Sequence, residues 1–335
     1  MLIEIGAPAS LPLGLVRLDG DAGPQTCLLG ITLQHPPLQL AAQAGREILI
    51  AGPRADKVWV QAQRFLAHHR LGAGVEVLIE LAIPAFMGLS SETMLSLSIA
   101  QAAAWSNGLP FESGPDLARG LGLGPEHALQ VWGFDGGGLL LVDTETGPDG
   151  IPALRRRREI AHKEKDAWAF VFLLPRAPDG TPETLGADRL RALLQAGPHL
   201  SGEGGRIVTE ELWPAVENDD IAAFGRSLLT LQALNRAALA QAGSPQEIRD
   251  ESQALLELMR DNGAVAWGQS LTGFGLYALV RGAKASVDLR KKLRDRVGFF
   301  GGTVMATITD NDGAQHVIKD ESLDDRRHTP IRPRS

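Results

Sequence analysis

Cysteine is almost missing from this 335-residue chain: Cys27 stands alone, so no internal disulfide can form and nothing points to an oxidising compartment. Cys27 reads instead as a small buried apolar residue on a strand. Long apolar runs are missing too, since no stretch reaches the roughly 18 uninterrupted residues that a membrane span needs. The opening MLIEIGAPAS carries Glu4 and neither a basic segment nor a long apolar core, which argues against a secretory leader. These absences predict a cytoplasmic protein that contacts no membrane. Positive charge is in deficit, 33 basic against 40 acidic residues for a net charge of -7, so a nucleic-acid partner is not expected. The basic run Arg155 to Arg158 is the local exception, and its Pro- and Gly-containing flank, Gly147 to Pro152, predicts a solvated loop. The eight histidines lack cysteine neighbours or paired spacing, which leaves no zinc pattern. Ser90 and Ser91 lack the Gly-x-Ser-x-Gly elbow of a hydrolytic nucleophile. No fixed-period repeat is present.

What the chain does contain is ordinary globular material, 44% hydrophobic and 22% charged, in a length that suits two lobes. The first third predicts short strands at Leu2 to Ile5, Gly14 to Leu18, Thr26 to Leu33 and Leu38 to Ala42, then an amphipathic helix within Pro53 to Leu71 and a strand at Val75 to Ile83. A helix over about Glu92 to Asn107 is apolar on most sides and ends at Asn107-Gly108, which predicts a central buried element. Two short helices, Ser113 to Leu121 with Ser113 as N-cap and Pro125 to Phe134, precede a strand at Leu139 to Asp143. The second half predicts a buried strand at Ala167 to Leu174 and helices at Thr184 to Gln195, Glu210 to Gln241 and Pro245 to Asn262. Strands at Ala264 to Gly268 and Gly275 to Val280, a basic helix at Ala283 to Arg296 and a last strand at Thr303 to Thr309 complete it. The expected division is an N-terminal lobe 1–158, a C-terminal lobe 159–318 and a polar tail 319–335.

Two loops could carry chemistry. Pro84 to Thr93 joins a strand to a helix, and a helix start leaves about four backbone N–H groups unpaired with about half a unit of positive charge. Anions settle at such ends. Gly88 admits a close ligand, Leu89 follows it, and the hydroxyls of Ser90, Ser91 and Thr93 add donors; the same Ser-Ser-Glu also reads as an ordinary helix cap. The second loop, within Gly268 to Val280, offers Gln269, Ser270 and Thr272 among Gly273 and Gly275, and a tight turn explains its glycines equally well. One such loop in each half raises the prospect of a shared anion site at a lobe interface.

These segments resemble a known family. Pro84-x-x-x-Gly88-Leu89-x-Ser91 is similar to the phosphate-loop motif of the GHMP kinase superfamily, which includes galactokinase, homoserine kinase and mevalonate kinase, and Thr272-Gly273-x-Gly275 looks like its C-terminal glycine motif. Within it, Leu13-Gly14-Leu15-x-x-Leu18-x-Gly20, Gly88 to Thr93, Phe134-x-x-Gly137-Gly138, Gly268-Gln269-Ser270 leading to Tyr277-Ala278-Leu279, and Asn311 to Ala314 resemble β-ribofuranosylaminobenzene 5'-phosphate (β-RFAP) synthases. The resemblance implies an α+β, two-lobed fold, with a ribosomal-S5-like first lobe and a ferredoxin-like or helical second lobe, and a homodimer. It further implies that a phosphorylated small molecule, 5-phosphoribosyl pyrophosphate, combines with 4-hydroxybenzoate or 4-aminobenzoate, with Mg²⁺, as in methanopterin-type biosynthesis. The chain departs from the family pattern in three places. Ser10-Leu11-Pro12 replaces an Arg-x-His stretch, Glu92 stands where Gly or Ser is usual, and residues around His127 and Ala128 replace a Ser-Gly stretch. Glu92 would repel phosphate unless Mg²⁺ bridges them, so it is the candidate metal ligand and, with His127, a candidate catalytic group. No aspartate fills the superfamily's kinase slot, Glu126 being the nearest carboxylate. An ATP-dependent small-molecule kinase and a homologue that binds a phosphorylated ligand without turnover remain open alternatives.

Overall fold

The computed structural model describes residues 1–20, 23–147, 150–161, 164–176, 180–182, 185–298 and 302–323. In chain order the elements are β1 (Leu2–Gly20), β2 (Gly23–Gly45), β3 (Ile48–Ala51), α1 (Trp59–His68), β4 (Gly74–Leu81), α2 (Ser91–Ser106), α3 (Gly114–Leu121), α4 (Ala128–Gly136), β5 (Leu139–Asp143), β6 (Leu154–Arg158) and β7 (Trp168–Leu174). They continue with α5 (Leu185–Gln195), α6 (Gly202–Arg206), α7 (Trp213–Glu217), α8 (Ile221–Gln241), α9 (Asp250–Asp261), β8 (Ala266–Gln269), β9 (Leu276–Arg281), α10 (Ala283–Val297), β10 (Thr303–Ile308) and β11 (Gln315–Lys319). The class is α+β. No described helix is long and apolar enough to cross a membrane.

Two antiparallel ribbons explain most of the first sheet. The four short strands expected before residue 45 are two long ones: β1 pairs with β2 from Ile3↔Ala42 to Gly20↔Gly23, with register shifts at Ala7/Ala9 and Pro12/Gly14. Pro12 is tolerated inside the ribbon because a bulge there relieves the ladder of its missing N–H. The far flank of β2 is divided, its Gln39–Gly45 end pairing with β4 and its Cys27–Ile31 end with β5. β3 runs parallel to β4, and β6 closes the outside of β5. The arginine run is therefore a strand, not a loop. Its side chains are anchored by Asp143 to Arg155, 2.7 Å, and by the Trp213 ring to Arg156, 5.6 Å. Charged side chains on an exposed edge also block pairing with foreign strands.

The second sheet, β10-β7-β9-β8, is antiparallel throughout. Thr303–Ile308 is not the last strand, however: β11 leaves that sheet and pairs with Leu2–Gly6 of β1. Of the expected polar tail, Leu323 is buried against Leu2 and Ala41, and 324–335 lies outside the described residues. Helix Glu210 to Gln241 is broken. Asp219 takes a left-handed φ of 54° and Asp220 caps α8 by accepting from Ala223 N–H at 2.9 Å, as an Asn-Asp-Asp run favours.

The core positions the site through two helices. Residues Thr93 to Ala104 of α2 are all buried, packed under β1, β2 and β4, so the helix axis is fixed and only its two ends reach solvent. Helix α8 ties the second half to β1: buried Asn235 accepts from Leu15 N–H at 2.5 Å and donates to Leu15 C=O at 2.8 Å. Cys27 is buried on β2, and its thiol is pushed up to about 12, first by burial and then by the Asp143 carboxylate.

Replacing Asn235 by leucine strands a backbone N–H and a C=O in the core, each a loss of about 1 to 3 kcal/mol. Denaturant unfolding of Asn235→Leu is expected to show a stability loss of about 2 to 5 kcal/mol with an unchanged m-value; a loss below about 0.5 kcal/mol would show that the α8–β1 link is dispensable.

Candidate functional site

The loop between β4 and α2 is held in an uncommon shape. Phe86, Gly88 and Ser90 have φ of 64°, 72° and 60°, and side chains at the first and last of these make the left-handed turn unfavourable unless packing enforces it. Ser90 occupies the cap position but caps nothing: no side-chain hydrogen bond reaches the helix amides. Its hydroxyl donates to Ser10 C=O at 3.3 Å and accepts from Gln130 Nε2 at 2.6 Å. The first intrahelical bond is Met94 N–H to Ser90 C=O, 3.3 Å, so the amides of Ser91, Glu92 and Thr93 have no helical acceptor. The ordinary-cap alternative thus fails, and the helix start keeps its donors.

The second glycine loop packs directly on the first. Ser270 Oγ donates to Gly88 C=O at 3.1 Å, Phe274 N–H to Phe86 C=O at 2.8 Å, and Gly275 N–H to Met87 C=O at 3.3 Å. A Cβ on Gly88 would lie 2.0 Å from Ser270 Oγ, and one on Gly273 would lie 2.1 Å from Gly88 N, so neither position admits a side chain. The two motifs divide their tasks. Gln269, Ser270, Gly273 and Gly275 hold the loops together, Gln269 by donating to Gly273 C=O at 3.0 Å, while Thr272 faces an open cleft. That cleft is lined from the first loop by Phe86 and Gly88 to Thr93, from the opposite side by His127 and Gln130, and from α5 by Gly186 and Leu190.

All the site residues expected from the α2 loop meet in this cleft, but their side chains are already engaged. Arg54, which follows β3 with a left-handed φ of 63°, donates to Ser91 Oγ at 2.5 Å and pairs with Glu92 at 2.9 Å. Glu92 is exposed and Arg54 largely covered, so the carboxylate is not an unpaired charge facing the anion pocket. Arg54 thus brings a cation from a distant turn to the first turn of α2, where it is paired with Glu92. Thr93 Oγ1 shares a hydrogen bond of 2.8 Å with His127 Nδ1, and His127 Nε2 stands 3.7 Å from Glu126 Oε1. Burial holds the imidazole below its ordinary range, against the smaller opposing pull of Glu126 and Glu92. Gln130 is buried and lines the cleft, and its buried Oε1 has no hydrogen-bond partner. Neither Arg54 nor Gln130 belongs to a local motif; the Gly52-Pro53-Arg54 turn is the one signal that marked Arg54. Among the described residues no group of three or more His, Cys, Asp or Glu could hold a metal ion alone.

No family model matches the chain. It is similar to two curated proteins named beta-ribofuranosylphenol 5'-phosphate synthase. That of Methanothermobacter thermautotrophicus is 25% identical over 83% of this chain and 89% of its own length. That of Archaeoglobus fulgidus is 22% identical over 70% of this chain and 76% of its own. The fold is that of homoserine kinase from Cytophaga hutchinsonii, TM-score 0.61 at 16% identity, covering 94% of this chain and 97% of the kinase. The likeness to the GHMP kinase superfamily, with β-RFAP synthases inside it, therefore extends from short motifs to nearly the whole chain.

With the folded imidazole held below the ordinary value of 6.5, the unfolded chain takes up a proton first as pH falls. Stability associated with neutral His127 is complete above that value and is lost as pH falls from it through the lower folded midpoint. An NMR titration is expected to place the His127 midpoint below 6.5, and His127→Gln to flatten the acid limb of the stability curve; a midpoint at or above the ordinary value would contradict the buried neutral state.

Proposed function

We propose that this chain is a β-RFAP-type synthase that joins 5-phosphoribosyl pyrophosphate to 4-hydroxybenzoate or 4-aminobenzoate and releases carbon dioxide and pyrophosphate. The observation that carries it is the uncapped α2 start, whose free amides open into the cleft where both glycine loops meet. A pyrophosphate group finds there aligned N–H donors and the helix dipole, both suited to charge that grows as the group leaves. The likeness to two synthases supports the substrate pair.

In this reading the ribosyl C1–oxygen bond breaks with its electron pair going to pyrophosphate. The ring carbon bearing the carboxylate bonds to C1, and the carboxylate leaves as carbon dioxide, returning its bonding pair to the ring. Gln130 Oε1 accepts from a ribose hydroxyl, which orients the sugar over the loop. His127, with Nδ1–H given to Thr93, offers the lone pair of Nε2 to the 4-hydroxyl proton and so raises the ring's electron density. Mg²⁺ suits an exposed single carboxylate because it is commonly held by one or two carboxylates with substrate phosphates and water; Glu92 would hold it, and the ion would neutralise pyrophosphate charge.

Mg²⁺ with phosphoribosyl pyrophosphate is expected to raise the melting temperature, Mg²⁺ with ATP is not, and product should form with either aromatic acid. Stabilisation by ATP alone would make the protein a kinase, and by neither ligand a homologue without this chemistry. His127→Gln is expected to slow the reaction of 4-hydroxybenzoate by about 10²-fold or more and that of 4-aminobenzoate much less, since only the phenol gives up a proton. Equal losses would remove His127 from that role.

A further inference from the structure

Two cations gather on the second glycine loop outside the cleft lining. Arg189 sits on α5 between Gly186 and Leu190, both of which line the cleft; it donates to Gly273 C=O at 2.8 Å, and its guanidinium lies 4.8 Å from the centre of the Phe274 ring. Arg249, directly before α9, lies 5.5 Å from the same ring. Its segment is pinned there by Gln246, whose Nε2 donates to Ser270 C=O at 3.1 Å. Asp250 and Glu251 follow Arg249 in the chain, yet among the described residues no ion pair joins either arginine to a carboxylate. Arg191 on the same helix shows the contrast, being paired with Asp188 at 2.8 Å.

The arrangement is electrostatically incomplete. Each guanidinium is attracted to the ring face, but the two repel one another, and burial together with Arg249 holds Arg189 below the usual guanidinium range. A partly buried guanidinium repelled by an exposed one is relieved by an anion that both can reach. Guanidinium forks match the oxygens of phosphate and carboxylate in two-point contacts.

We propose that Arg189 and Arg249 form a clamp for a phosphate monoester, held against the Thr272–Phe274 turn at the side of the cleft. Assigning that monoester to the 5'-phosphate of a sugar rests on the synthase reading. In that reading two other anionic groups are present, and neither suits the clamp. Pyrophosphate is placed at the α2 start, and the aromatic carboxylate has to lose its charge into the ring, a step that two fixed guanidiniums would oppose by stabilising the carboxylate. A phosphate monoester keeps its charge from substrate to product, so the clamp can hold it tightly throughout.

Arg249 is exposed and its side chain makes no hydrogen bond, so Arg249→Met removes the charge without disturbing the fold. Calorimetric titration with ribose 5-phosphate, pyrophosphate and benzoate separates the sources. Ribose 5-phosphate affinity is expected to fall about tenfold or more in Arg249→Met, the loss of one charge-assisted contact, and to be partly retained in Arg189→Lys. Pyrophosphate affinity is expected to stay within about twofold of wild type. The proposal is overturned if wild-type protein does not bind ribose 5-phosphate, if Arg249→Met binds it as wild type does, or if benzoate affinity falls more than that of the phosphate. These titrations need no turnover, so they stand whether or not phosphoribosyl pyrophosphate is the substrate.

Discussion

The contact between Gly88 and the Ser270–Gly273 turn governs everything built around the cleft. Two stretches of backbone, far apart in the chain, approach so closely that a single methyl group on either glycine would part them. The Ser270 hydroxyl, buried and donating to Gly88 C=O, fixes their relative height. From that contact follow the left-handed turns at Phe86 and Ser90, which local propensity alone would not sustain. The α2 amides stay open because Ser90, held in that conformation, directs its hydroxyl to Ser10 rather than to the helix.

Anion affinity in this site therefore belongs to the backbone more than to the loop's hydroxyls. Ser90 is saturated by Ser10 and Gln130, Ser91 accepts from Arg54, and Thr93 is committed to His127. Backbone donors need no rotamer ordering to bind, which favours a site that is preorganised before ligand arrives. Arg54 also changes the meaning of Glu92: a carboxylate paired with a covered guanidinium is a positioned group, whereas an isolated one would weaken the pocket's pull on phosphate.

Much of this was legible in residue patterns, and the misses have physical causes. The α2 helix stood out because Leu95, Leu97, Ile99 and the alanines leave it no polar face, and a helix apolar all round has to be central. The loop motifs announced themselves by glycines that close approach requires. The long β1–β2 ribbon looks divided in the sequence because Pro12 signals a break, while a bulge absorbs it. Strand β6 is hidden in the sequence because Arg155 to Arg158 show no alternation, and an edge strand that keeps both faces wet needs none. β3 is too short to display a period, and β11, with Gln315 to Ile318 exposed, hides its strand character in polarity. Arg54 and Gln130 act through tertiary neighbours, so beyond the Gly52-Pro53-Arg54 turn no local pattern announces them.

The pairing of β11 with β1 has a consequence for how the molecule is made. Leu2–Gly6 finds its outer partner in Gln315–Lys319, joined also by Lys319 to Glu4 at 2.7 Å. During synthesis, the outer edge of β1 waits unpaired while almost three hundred further residues leave the ribosome. The outer edge of β1 is thus sealed by a segment that follows it by about three hundred residues, so the first sheet closes only after the strands and helices of the second sheet have been threaded between its two edge partners.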